Sequence, residues 1–245
     1  MRLLVSVVDA SEAAEAAAGG AHIIDVKDPA SGALGAATPG ALREVRDATP
    51  PGLPVSAALG DGPFEPHAAA HAAALAAECG AAFVKIGLRN TSAGRALATL
   101  RAVRAGLPET VRLIAAGFAD FRRAGSPDPV DLPRLAHAAG AQGCLIDTAI
   151  KDGRGLFHWL DGVALRLFVT ACRGRGLLSA LAGSLTPADL PLLAHIGPDI
   201  VGVRGAACAG DRAHGRVRRE RVAALALALP LAAAGEGRGS RGAHG

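Results

Sequence analysis

The chain has 245 residues, half of them apolar, and a formal net charge of +4. This length suits one α/β barrel or two small domains, and the apolar half supplies a large core. Six Phe, one Trp and no Tyr leave few side chains for stacking on nucleobases, and the cations crowd into the C-terminal part. Such a run is typical of a solvated helix face, so we expect no nucleic-acid partner.

Strand-like and helix-like segments alternate eight times along the chain. The strand-like segments are apolar runs at 3–8, 22–26, 54–59, 82–88, 112–118, 143–149, 177–183 and 199–205. Several helical segments between them begin with Ser or Thr and end with Gly, as helix caps prefer. Eight such units predict a single-domain α/β fold, the (β/α)8 TIM barrel. An open doubly wound sheet would also alternate, but its Gly-rich dinucleotide fingerprint does not follow the first strand.

The barrel is predicted to occupy residues 1–233, and the Gly- and Arg-rich residues 234–245 are predicted to be a disordered tail. The helix expected between the sixth and seventh strands, within 152–176, reads as short and irregular.

Targeting signals and a cysteine framework are not evident in the sequence. The N-terminal apolar run 3–8 is shorter than a signal-peptide core, and the late run 222–234 contains a proline and is too short for a membrane span. The four cysteines are widely spaced without a CxxC pair, which favours buried free thiols. We therefore expect a cytoplasmic protein with no membrane partner.

All three lysines of the chain lie where a predicted strand ends. Against twenty-three arginines, they are Lys27 in HIIDVKDP, Lys85 in AAFVKIGL and Lys151 in CLIDTAIKDG. Arginine stays protonated, whereas a desolvated lysine can lose its proton and then form a Schiff base or act as a base. The alternative is that one or two of them are ordinary solvated lysines, but their placement favours catalytic roles for at least two.

Side-chain alternation predicts that charged residues of the even strands point into the barrel. Asp25 and Lys27 share one face of the second strand, and the same parity turns Lys85 and Asp147 inward. The eighth strand adds Arg204, so these side chains meet at the end of the barrel where active sites lie, and we expect Asp147 to face the substrate. Because buried charges are costly unless paired, a purely structural ion-pair cluster is the alternative.

Gly-rich loops follow the second, seventh and eighth strands. Barrels often hold a phosphate with backbone N–H groups after strands 7 and 8, where glycine lets the backbone approach closely. Gly183, Ser184, Gly205 and Ala206 are therefore the predicted phosphate ligands, with Arg204 as the nearby cation. The SGALGA loop after the second strand, residues 31–36, is an alternative position. No His, Asp or Glu cluster has metal-ligand spacing, so no metal and no cofactor are predicted.

Four segments resemble the (5-formylfuran-3-yl)methyl phosphate synthases, enzymes of methanogens and methylotrophs that start the furan ring of methanofuran. They are residues 3–36, 83–88, 143–157 and 177–212, in the same order and at matching distances. The resemblance implies a metal-independent carbon–oxygen lyase of one-carbon metabolism that joins two molecules of glyceraldehyde 3-phosphate, with loss of one phosphate and two waters. It assigns the Schiff-base lysine to Lys27 and the proton-accepting lysine to Lys85. Asp25 and Lys151 match residues of the family's pocket.

The chemistry of these residues fits that reaction. An iminium on Lys27 would acidify the neighbouring C–H, and Lys85 would be the base if another ammonium and apolar walls disfavour its charge. Lys151 would be an acid for the eliminations, and Asp25 would orient Lys27 and relay protons. The division of acid and base roles, the triose phosphate that reacts first and the oligomeric state, with a homo-oligomer among the options, stay open.

Two other functions remain compatible with the sequence. One is another Schiff-base barrel on sugar phosphates, of the aldolase or transaldolase type. The other is a non-catalytic sugar-phosphate-binding barrel that regulates a partner, for which arginine would serve better than lysine.

Overall fold

A computed structural model describes residues 1–230, which form a closed barrel of eight parallel strands in sequence order, with β1 pairing both β2 and β8. The strands are β1 (Arg2–Val7), β2 (Ile23–Val26), β3 (Val55–Ala58), β4 (Phe83–Gly87), β5 (Arg112–Phe118), β6 (Gly143–Asp147), β7 (Leu178–Leu181) and β8 (Ile200–Val203). The predicted TIM barrel is therefore confirmed. The predicted tail, 234–245, lies outside the described residues.

Helices separate the strands and form the outer layer of the barrel. They are α1 (Ala10–Ala18), α2 (Pro39–Ala48), α3 (Pro66–Glu78), α4 (Ala93–Gly106), α5 (Phe121–Ala124), α6 (Leu132–Ala138), α7 (Leu156–Trp159), α8 (Gly162–Arg173), α9 (Leu190–Ile196) and α10 (Arg219–Ala228). Thr38 and Ser92 cap α2 and α4, since each side chain accepts a hydrogen bond from a first-turn N–H. Within residues 1–230, no helix is both long and apolar enough to cross a bilayer.

One segment differs from the sequence-based expectation. Residues 152–176 were expected to hold a short, irregular helix, but α8 is a regular helix of 12 residues. The Asp161 side chain caps its start, and Leu165, Phe168 and Cys172 lie buried along one face. After β8 the chain makes a short 3-10 turn and a two-stranded antiparallel ribbon of β9 (Cys208–Ala209) and β10 (Arg216–Val217). The ribbon closes one side of the barrel's C-terminal end.

The barrel divides its apolar side chains between two cores. Ile24 on β2 and Val84 on β4 belong to the larger core between the strands and the helices. Ile23 and Phe83 belong to a smaller core inside the barrel. This alternation is the predicted one, and it turns Lys27 and Lys85 toward the barrel interior.

Candidate active site

A cavity of about 190 Å³ opens at the C-terminal ends of the strands, where TIM-barrel active sites lie. It is lined by the three lysines, by Asp147 and by residues of the loops after β7 and β8: Lys27, Lys85, Lys151, Asp147, Gly183, Ser184, Gly205 and Arg212. Residues that are up to 185 positions apart in the chain thus share one cavity.

Lys27 is the first residue after β2 and is buried, with 6% of its surface exposed. Its Nζ donates a hydrogen bond to the Ala33 carbonyl at 3.1 Å. Burial lowers the pKa of Lys27 to about 7; two neighbouring lysines add to this effect, and two aspartates oppose it. A lysine that is unprotonated to a large extent near neutral pH can attack a carbonyl carbon.

Lys85 on β4 has a carboxylate partner instead. Its Nζ donates to Oδ2 of Asp25 at 2.7 Å, and both side chains are buried. The Ser6 hydroxyl donates to the same oxygen at 2.8 Å. Asp25 was expected to orient Lys27, and this expectation is corrected by the pairing with Lys85. Alternate strands of a barrel supply the side chains of one interior layer, so Asp25 on β2 lies level with Lys85 on β4. Lys27 stands two residues further along β2 and so lies outside that layer.

Asp147 and Lys151 form a second ion pair at the edge of the cavity. Lys151 Nζ donates to Asp147 Oδ1 at 2.6 Å and to Thr148 Oγ1 at 2.9 Å. Burial by itself would raise the pKa of Asp147, but the charges of Lys151 and Lys27 outweigh it and lower the pKa to about 2. Asp147 is therefore a carboxylate at neutral pH, and the Lys151 side chain, 18% exposed, lies nearer to solvent than the other two lysines.

The predicted phosphate loops contribute unpaired backbone donors to the cavity. Gly183 and Ser184 adopt left-handed conformations, with φ of 113° and 51°. Within residues 1–230, the N–H groups of Gly183, Ser184, Gly205 and Ala206 have no backbone acceptor. Gly183, Ser184 and Gly205 line the cavity, whereas the Ala206 side chain packs against the outer core. Consecutive free N–H groups in such a turn form a concavity that suits an anion.

Arg204 is placed differently from the prediction that it binds phosphate. Its Nε donates to the Arg212 carbonyl at 2.8 Å, and Nη1 donates to the Ser6 carbonyl at 3.0 Å and to Glu12 at 2.8 Å. Nη2 donates to Glu12 at 3.5 Å and to the Gly215 carbonyl at 3.4 Å. All five N–H donors of a guanidinium are thereby used. Arg204 links the barrel to α1 through its buried partner Glu12. It also links the barrel to the segment between β9 and β10 through the carbonyls of Arg212 and Gly215.

Arg212 is a cavity cation that the sequence reasoning missed. It lies in the segment between β9 and β10, and its Nη1 and Nη2 donate to the carbonyls of Pro29 at 3.3 Å and Gly32 at 3.0 Å. A Cβ on Gly205 would stand 3.7 Å from the Arg212 Cβ, so this arginine adjoins the phosphate loop. The sequence carried a weak signal for it, an arginine in the Gly-rich stretch after the eighth strand.

Two carboxylates that sequence reasoning also missed fix the loops that carry the lysines. Asp61, after β3, accepts hydrogen bonds from the N–H groups of residues 33–34 at 2.9 and 2.8 Å. Asp120, after β5, accepts from those of residues 149–150 at 2.7 and 3.0 Å. The alternative phosphate position at the SGALGA loop is disfavoured, since a carboxylate already occupies these amides. The available signal was an aspartate in the short stretch after a strand, between two glycines in the case of Asp61.

The chain's possible metal ligands are dispersed. Within residues 1–230, no group of three or more His, Cys, Asp or Glu side chains could hold a metal ion. The four cysteines are buried free thiols, as expected. The independence from metals and cofactors stays a prediction.

Comparisons with known proteins agree in family and fold. Residues 3–226 match the family model described as 4-HFC-P synthase. The chain is 46% identical to (5-formylfuran-3-yl)methyl phosphate synthase from Methanococcus maripaludis strain S2, over 91% of this chain and 96% of that one. It is 45% identical to the protein of that name from Methanothermobacter thermautotrophicus, over 92% and 97%. A solved 3-hexulose-6-phosphate synthase superposes with a TM-score of 0.62 at 19% identity, covering 94% of this chain and all of that one, which shows the fold alone.

Proposed function

Because the chain belongs to the 4-HFC-P synthase family, we propose that it condenses two molecules of glyceraldehyde 3-phosphate into (5-formylfuran-3-yl)methyl phosphate. One phosphate and two waters leave, and the product would serve methanofuran or an analogue. The family resemblance read from the sequence is confirmed, and a synthase is an enzyme. The observation that carries the proposal is the buried Lys27, whose pKa of about 7 supplies an amine nucleophile inside a cavity with two further lysines.

Lys27 is the proposed covalent nucleophile. Its amine adds to the carbonyl of one triose phosphate and, with loss of water, gives an iminium that draws electrons from the adjacent carbon. Removal of a proton from that carbon yields an enamine, and the enamine attacks the aldehyde of the second molecule. The low-dielectric wall around Lys27 supports this role, since it disfavours the ammonium form.

The Lys85–Asp25 pair is the proposed proton-transfer unit. Lys85 can accept a proton from the substrate only as a neutral amine. Its ammonium must therefore first pass a proton to a neighbour, and the Asp25 carboxylate lies 2.7 Å away to receive it. Of the two roles expected for Asp25, we keep the relay of protons and give up the orientation of Lys27. Lys151, which is more exposed and bonded to Asp147, is the proposed acid for the groups that leave.

The N–H groups of Gly183, Ser184 and Gly205 are the proposed ligands of a substrate phosphate. Arg212 adjoins them and is the proposed cation in place of Arg204. Both arginines line the cavity, but the N–H donors of Arg204 are all used within the protein, whereas Arg212 uses two of its five among the described residues. A phosphate held there stands on the opposite side of the cavity mouth from the β3 and β4 strand ends, so the carbonyl end of the triose can extend toward the lysines.

Mass spectrometry of the product is the direct test of this function. Purified protein given glyceraldehyde 3-phosphate should release (5-formylfuran-3-yl)methyl phosphate, and borohydride added during turnover should fix a triose adduct that peptide mapping assigns to Lys27. A Lys27→Met variant is the control for non-enzymatic condensation. A product that keeps both phosphates would indicate an aldolase instead, and an adduct on Lys85 would exchange the two roles. No product and no adduct would leave only a sugar-phosphate-binding barrel.

A further inference from the structure

Two buried polar atoms beside the cavity have no protein partner. Within residues 1–230, neither the Ser56 hydroxyl nor Oδ1 of Asp25 makes a hydrogen bond. Ser56 is 1% exposed and Asp25 is fully buried. The two residues are direct partners in the β2–β3 register and point to the same side of the sheet. Ser56 is also one of the residues that line the cavity.

Such atoms call for an explanation, because a buried polar group without a hydrogen bond is costly and rare. The other carboxylate oxygen of Asp25 already accepts from Ser6 and Lys85, which fixes the orientation of the carboxylate. Oδ1 is thereby left without a donor, although Ser6, Ser56 and Lys85 around Asp25 all line the cavity.

The pair of atoms selects the chemical class of this ligand. A carboxylate oxygen only accepts hydrogen bonds, so the group that meets it must carry a proton. A phosphate would be repelled by the negative charge, and a carbonyl has no hydrogen to donate. A hydroxyl satisfies both atoms, since it donates to Asp25 and accepts from Ser56.

From this arrangement we infer that Ser56 and Oδ1 of Asp25 form a subsite for a hydroxyl group of the triose phosphate, with Ser56 as a substrate-binding residue. The inference rests on the proposed function, because it takes the ligand to be a hydroxylated phosphate ester. Asp25 stands two residues before Lys27 on the same face of β2, about 7 Å along the strand. The subsite therefore adjoins the strand face that carries the proposed nucleophile.

The subsite is tested with unreactive phosphate esters, whose binding needs no Schiff base. Isothermal titration calorimetry would compare glycerol 3-phosphate with n-propyl phosphate, which lacks the hydroxyls. We expect wild-type protein to bind glycerol 3-phosphate about tenfold more tightly, the scale of one or two added hydrogen bonds. Ser56→Ala should lose most of this preference and keep or raise its melting temperature, because the deleted hydroxyl has no protein partner.

Ser179→Ala is the matched control. Ser179 is also a buried serine on a barrel strand, but its hydroxyl donates to Asp199 at 2.7 Å at the opposite end of the barrel. This variant should melt at a lower temperature and keep the preference for glycerol 3-phosphate.

Equal binding of the two esters by wild-type protein, or binding of neither, would overturn the subsite. A Ser56→Ala variant that melts as early as Ser179→Ala would also overturn it, because the hydroxyl would then be bonded within the protein. If the preference for glycerol 3-phosphate holds but no furan product forms, the proposed function fails and the hydroxyl subsite stands.

Discussion

Lys27 directly follows β2 and Lys85 lies in the middle of β4, and both are buried to nearly the same extent, with 6% and 4% of their surfaces exposed. Their partners differ. Lys27 donates to an uncharged carbonyl, whereas Lys85 donates to the carboxylate of Asp25. Two equally buried lysines therefore differ in chemical character, and the hydrogen-bond acceptor of each accounts for the difference. The first is an isolated amine that can attack a carbonyl, and the second is one half of an ion pair that can exchange a proton.

The largest effect is expected from removal of the isolated amine. Lys27→Met should reduce turnover to the background rate and abolish the borohydride adduct. Its free energy of unfolding should stay the same or rise, because methionine fills similar space without a buried amine. Turnover assays with denaturant unfolding would check both. A strongly destabilised Lys27→Met variant would show that Lys27 is a structural ion, and the contrast with Lys85 would disappear.

Lys85→Met, unlike Lys27→Met, should lower the free energy of unfolding. The Asp25 carboxylate would remain buried without its counter-ion, at a cost of about 3–5 kcal/mol. Activity should fall by at least ~100-fold, the scale of general acid–base catalysis. Adding Asp25→Asn to this variant should recover much of the stability and none of the activity, as urea unfolding and product assays would show. Lys85→Met as stable as Lys27→Met would contradict the ion pair.

The pH dependence should sharpen the comparison further. Since the pKa of Lys27 is lowered from 10.5 to about 7, its neutral fraction grows about tenfold per pH unit below 7 and then levels off. The rate of borohydride trapping on Lys27 at fixed substrate should follow that curve. Between pH 7 and 10.5 the unfolded chain binds one more proton here than the folded protein, so wild-type stability relative to Lys27→Met should rise across this range. A relative stability that falls across it would contradict a lowered pKa.

The smallest effect is expected away from both lysines, at the phosphate loop. A Cβ on Gly205 would meet only the Arg212 Cβ, at an ordinary 3.7 Å, so Gly205→Ala should fold normally. The added methyl crowds the N–H groups, and we expect KM to rise roughly three- to tenfold with kcat little changed. Gly183 is a poorer choice, because its φ of 113° strains any side chain. Unchanged steady-state kinetics in Gly205→Ala would move the phosphate to another position.

Sequence alone was sufficient for the features that depend on local periodicity. The period of two in β2 and β4 fixed which side of the barrel Lys27 and Lys85 face, and the eight alternating units gave the closure of the barrel. Pairing across the chain was not accessible in this way. The partner of Arg204 is Glu12, 192 positions away on α1, and the partner of Lys85 is set by the stagger between strands. Neither pairing can be predicted from the spacing of residues along the chain.

The carboxylates of Asp61 and Asp120 have a consequence for how a substrate enters. Each supplies an internal anion to backbone amides that could otherwise attract a phosphate, one beside Lys27 and the other just before Lys151. The loops after β7 and β8 keep their amides open, so attraction for an anion is concentrated on one rim of the mouth. For the proposed triose phosphate substrate, this sets the orientation of entry: the charged end would bind at that rim, and the reactive end would point to the lysines.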